Sequence, residues 1–158
     1  MRTTRGRCIA LLLGLAVWLL PAGGCLLSNM EPSEKLNDAI LGMNEAARWG
    51  RVDLALQYID PVYRSRFLES HHGWGRTIEV ADSELLRIEV APDQDAAVAL
   101  VAFSWYKPDR MSLRSTVLRQ VWKRYDGNYI LGSEEVIEGD AELLKAPGKR
   151  LSEPGLRS

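Results

Sequence analysis

The chain has 158 residues, 46% of them hydrophobic and 26% charged, with a net charge of −1. Such a balance excludes an intrinsically disordered chain, and the length is that of about one domain. No basic surplus exists to neutralise phosphates, so nucleic acid is excluded as a partner.

The N-terminus opens with Arg2, Arg5 and Arg7, followed by an uninterrupted apolar run from Cys8 to Leu20. The run has the length of a signal-peptide core and falls short of the roughly 20 residues that cross a bilayer. Pro21, Gly23 and Gly24 then break the helix and leave an extended stretch that a peptidase can enter. Ala22-Gly23-Gly24-Cys25, preceded by Leu20-Pro21, resembles the lipobox of bacterial lipoproteins, with Ala22 where that family usually has Leu. The resemblance implies cleavage before Cys25, lipid on the Cys25 thiol and amine, and anchoring to a membrane through that lipid. Leu26 and Leu27, where inner-membrane lipoproteins of Gram-negative bacteria carry Asp, imply the periplasmic face of the outer membrane. Two alternatives stay open: an uncleaved anchor helix from Cys8 to Leu27, and a non-lipid signal cut near Ala22. Removing residues 1–24 leaves 17 basic against 21 acidic side chains, a net charge of −4. Charge therefore contributes nothing to attraction by an anionic membrane.

Residues 25–33 read as a tether. Ser33 is the expected N-cap of a helix whose apolar positions are Leu36, Ala39, Ile40, Met43 and Ala47, stopped at Gly50. A second short helix is expected over Asp53–Ile59, and a third from Asp60-Pro61 to His71. The period then changes to two. Strands are expected at Thr77–Ala81, Leu85–Ala91, Ala96–Tyr106, Ser112–Tyr125 and Asn128–Ile137, the last two joined by an Asp126-Gly127 hairpin. Residues 139–158, polar and rich in Pro and Gly, read as a disordered tail.

Helices followed by long antiparallel strands make an α+β layout over 34–138, with N-terminal helices packed on a strongly curved, cone-like antiparallel sheet. The layout is similar to the nuclear transport factor 2-like superfamily. Two stretches carry the resemblance: Asn44-Glu45-Ala46-Ala47-Arg48-Trp49-Gly50-Arg51-Val52-Asp53-Leu54-Ala55, and the hairpin from Gln120 to Leu131. The superfamily includes enzymes and non-enzymes, and its acid–base residues map onto no position of this chain, so the resemblance implies a fold and no reaction.

Candidate chemistry is sparse. His71 and His72 are adjacent, about 100° apart on a helix, and lie in no metal-binding spacing; they read as a polar helix end. Trp49 and Trp74 are expected to cover the edge of the core. Arg114, Thr116, Gln120 and Trp122 share one face of a strand by period two. With Trp105 on the neighbouring strand, Arg114, Gln120 and Trp122 are the candidate pocket-lining residues; the alternative is a solvated sheet face. Glu134 and Glu135 point to opposite faces of the last strand, so one of them can enter such a pocket. No Ser/His elbow, phosphate loop, metal set or cofactor motif is present, and no catalytic residue is assigned. The expectation is a non-enzymatic envelope module that binds a small molecule or an envelope protein. The alternative is an isomerase- or hydratase-like enzyme that uses an acid in the cone.

Overall fold

The computed structural model describes residues 31–145. The signal segment, Cys25 and residues 146–158 lie outside the described residues.

Helix α1 spans Pro32–Arg48 and buries Leu36, Ala39, Ile40, Met43 and Ala47, the expected stripe, together with Asn44 and Ala46. Its N-cap is Glu31 instead of Ser33. Pro32 sits at the first helical position, where its fixed φ is already helical and its missing N–H is not needed. The Glu34 carboxylate accepts the Glu31 N–H at 3.3 Å. At the other end Gly50, at φ +64°, lets its own N–H and that of Arg51 reach back to the carbonyls of Ala47 and Ala46. This pair of bonds is the Schellman closure. Helix α2 covers Val52–Ala55 and continues into a 3₁₀ turn, Leu56–Tyr58. Helix α3, Arg64–Ser70, is shorter than the expected third helix. The Asp60 side chain accepts the Val62 N–H at 2.9 Å and holds the chain in a turn before α3 begins.

Four strands follow: β1 Glu79–Val90, β2 Ala96–Tyr106, β3 Arg114–Tyr125 and β4 Asn128–Gly139. They form one antiparallel sheet in the order β1-β2-β3-β4. The two short strands expected between Thr77 and Ala91 are one strand. Bulges at Ala81 and Leu86 each insert an extra residue and break its period, which is why the alternation reads as two pieces. Arg48 donates to the carbonyls of Val80 and Ala81, satisfying the first bulge from α1. Asp126 (φ 48°) and Gly127 (φ 73°) make the β3–β4 hairpin the two-residue turn expected from their sequence.

The helices share a core with one face of the sheet: Ala97, Ala99, Val101, Phe103 and Trp105 of β2, Leu118 and Trp122 of β3, and Leu131 of β4. The opposite face, with Val98, Leu100, Ala102, Val117 and Val121 at its centre, stays partly exposed. The expected disordered tail does not start at 139. A 3₁₀ turn over Ala141–Leu144 buries Leu143, and the Trp74 indole N–H donates to the Leu143 carbonyl at 2.8 Å. Among the described residues no helix is long and apolar enough to cross a membrane. The fold is α+β, helices first and a four-stranded antiparallel sheet after.

Candidate functional site

The inward face of β3 carries Thr116, Leu118, Gln120 and Trp122, as period two requires. The candidate pocket residues on it do not line an open cavity. Trp105, Gln120 and Trp122 are each 0% exposed. Gln120 donates to Asn44 Oδ1 at 2.8 Å, and Asn44 Nδ2 donates both to Gln120 Oε1 at 3.2 Å and to the Ile40 carbonyl at 2.9 Å. The two amides thus close on each other and tie α1 to β3. Trp105 donates its indole N–H to Thr116 Oγ1 at 3.0 Å, and Thr116 in turn donates to the Asp140 carbonyl at 2.9 Å. Arg114 lies at the sheet end, paired with Asp140 at 2.6 Å and Glu142 at 2.5 Å, its guanidinium 5.1 Å from the Trp105 ring centroid. The expected pocket is a packed interior because Trp105, Gln120 and Trp122 are buried in it among partners or apolar neighbours, while Arg114 sits at its edge. Trp122 is the partial exception, since its buried indole N–H has no hydrogen-bond partner among the described residues.

A different cluster holds the unusual chemistry. Leu131 of β4 pairs with Trp122 and Ser133 with Val121, so Gly132 is an extra residue in the ladder. The bulge shifts the alternation by one and sends Glu134, not Ser133, into the core. There its side chain is 0% exposed, with Oε1 3.3 Å from His71 Nε2. His71, at the C-terminal end of α3, has its Nδ1 3.0 Å from the Phe67 carbonyl and its ring stacked on Phe67 with centroids 3.9 Å apart. A carbonyl only accepts, so Nδ1 carries the ring proton and Nε2 offers a lone pair to Glu134. Neither Glu134 oxygen finds a donor among the described residues. Burial pushes the Glu134 carboxyl up to about 8 and His71 down to about 3. At neutral pH the consistent arrangement is therefore a protonated Glu134 donating to a neutral His71. Tyr63 closes the cluster by accepting the Glu134 backbone N–H at 3.2 Å, and burial raises its phenol to about 12.

Such an arrangement can keep a carboxylic acid neutral where most are ionised, which is what a general acid needs. It cannot deliver that proton to solvent as it stands. The adjoining surface groove, about 390 Å³ and lined by Tyr63, Arg66, Arg119, Ser133, Glu135 and Glu134 itself, ends on a carboxyl whose side chain has no exposed surface. Among the described residues no three His, Cys, Asp or Glu side chains converge as a metal site.

The His71–Glu134 pairing was hidden from sequence reading. His71 is buried, not a polar helix end, while His72 next to it is exposed. A glycine inside a strand, Gly132, is the one local sign of the bulge that brings Glu134 inward. Of the two tryptophans placed at the core edge, Trp74 is buried, packing against His71 and Phe103. Trp49 is 64% exposed, bonded to Glu45 and covered by Arg48.

No family model matches the chain, and no curated protein is a significant match. Among solved structures, a SEC-C motif containing protein from Rhodopseudomonas palustris is similar at 12% identity, over 63% of this chain and 77% of that one, with a TM-score of 0.54. The intermembrane space region of the chloroplast protein ARC6 matches at 11% identity, over 68% of this chain and 97% of that one, with a TM-score of 0.42. The likeness to the first is one of backbone architecture alone, and at this identity it supports the α+β fold and assigns no chemistry.

Proposed function

We propose that the chain is a lipid-anchored lipoprotein of the cell envelope, held through Cys25 at the periplasmic face of the outer membrane. Its domain, of the cone-shaped nuclear transport factor 2-like kind, is a non-enzymatic binding module for a small molecule or an envelope protein. The observation that carries the non-enzymatic reading is the closed interior. Trp105, Gln120 and Trp122 are fully buried, and the inward acid, Glu134, is sealed against His71. Binding then belongs to the surface. The anchor rests on the Ala22-Gly23-Gly24-Cys25 motif behind its apolar run. Expression of the full chain and a Cys25→Ser variant in a Gram-negative host tests it. The wild type should fractionate with membranes and carry acyl mass on a chain starting at residue 25. An unchanged mature mass and membrane fraction in the variant would overturn the anchor.

One observation favours the enzymatic alternative: a buried carboxyl pushed up to about 8 is suited to donating a proton near neutral pH. That reading needs the Tyr63–Glu134 region to open. It predicts turnover of some small substrate that Glu134→Gln abolishes without loss of fold.

A further inference from the structure

A second surface concavity, of about 550 Å³, lies between the loop after α3, the β2–β3 turn and the C-terminal 3₁₀ turn. Its size is that of a small-molecule site. Its walls are preformed. The Gly73 carbonyl accepts the backbone N–H groups of Arg76, Thr77 and Ile78, at 3.2, 2.9 and 2.9 Å, which locks the loop into one shape. The Trp74 indole bond to Leu143 ties that loop to the 3₁₀ turn opposite. Ile78 and Pro108 supply apolar surface, and Arg76, Lys107, Glu142 and Lys145 supply the charges.

The charges are not balanced. Glu142 is neutralised twice, by Lys107 at 3.0 Å and by Arg114 at 2.5 Å, and Arg114 also takes up Asp140. Asp109, also at the rim, faces Arg110 at 4.0 Å. Arg76 and Lys145 make no ion pair among the described residues, and both line the concavity. Glu142 is thus taken up and Asp109 is solvated, while two cations and the His72 imidazole are left to face whatever enters.

From this geometry we infer that the concavity is a binding site for a small organic anion, a carboxylate with an apolar body, whose charge meets Arg76 and Lys145 and whose hydrocarbon part rests on Ile78 and Pro108. A rigid wall reduces the ordering cost of binding, and desolvation of the apolar part supplies the attraction that an exposed ion pair alone does not. None of the residues lining the concavity belongs to the Cys25 motif or is Glu134 or His71, so neither reading above need hold for it to exist.

The test uses the full chain in a non-ionic detergent, with 4-phenylbutyrate as probe and 4-phenylbutan-1-ol as its neutral counterpart, followed by amide resonance shifts. The acid should bind saturably and move the resonances of His72, Gly73 and Ile78. The alcohol, and the acid on an Arg76→Gln/Lys145→Gln variant of unchanged melting temperature, should each bind roughly fivefold more weakly, as expected for one or two partly screened ionic contacts. Absence of saturable binding, equal binding of the alcohol, or shifts confined to other parts of the domain would each overturn the assignment.

Discussion

Glu134 and His71 pull stability in opposite directions as pH changes, because burial raises one and lowers the other. Glu134 goes from an ordinary 4.5 to about 8 on folding. The folded chain thus holds a proton that the unfolded chain has lost, and stability falls as pH rises from 4.5 to 8. His71 goes from 6.5 to about 3, so the unfolded chain holds the extra proton and stability rises as pH climbs from 3 to 6.5. Between 4.5 and 6.5 the two slopes cancel. The lowered carboxyls of Asp60, beside Lys123, and of Glu142, beside Lys107 and Arg114, steepen the acid side, since their stabilisation is lost as pH falls. Thermal melts from pH 3 to 9 should show a rise, a plateau, and a decline between pH 6.5 and 8. In Glu134→Gln the decline should vanish, because the group that titrates is gone. An equal alkaline decline in both proteins would refute a raised Glu134.

At the scale of elements, α1 meets the sheet through apolar contacts, the Arg48 bonds to the first bulge and one buried polar joint, the Asn44–Gln120 amide pair. A joint of this kind is satisfied only as a pair. Asn44→Leu leaves the Gln120 amide buried without its partner and should cost about 1–3 kcal/mol. Asn44→Leu/Gln120→Leu removes both amides at similar volume and should recover most of that loss. Urea unfolding of the two single variants and the double measures the coupling, and strict additivity would mean that the amides do not act together. The same scale separates what was legible from what was not. The α1 stripe and the β2 alternation stand in the sequence because each is one unbroken period against one core. Strands β1 and β4 do not, since bulges at Ala81, Leu86 and Gly132 change parity in mid-strand. A bulge is selected by what lies across it, such as Arg48 reaching Val80 and Ala81, and that partner is 32 residues away in the chain.

For the whole molecule, the segment after β4 is part of the core. Leu143 is fully buried, and its carbonyl takes the Trp74 indole proton. Ending the chain after Gly139 should cost roughly 5 kcal/mol, from one buried Leu and two orphaned donors, the Trp74 indole N–H and the Thr116 hydroxyl. A chain ended after Lys145, which keeps the 3₁₀ turn, is the reference for that loss. Equal melting temperatures for the two truncations would show that the 3₁₀ turn adds nothing.

Read alone, the chain already dictated an α+β order, the three-helix arm, the Asp126-Gly127 turn and the placing of Thr116, Gln120 and Trp122 on one strand face. Each of these follows from local period, capping or turn chemistry, which act over a few residues. Only the tertiary structure decided that this face is packed instead of hollow, that Glu134 and His71 meet, and that residues 141–144 dock. Those outcomes depend on which distant side chains exclude water together. The Glu134 carboxyl is buried because α3, β3 and a bulged β4 converge on it, and no spacing within any one of them records that convergence.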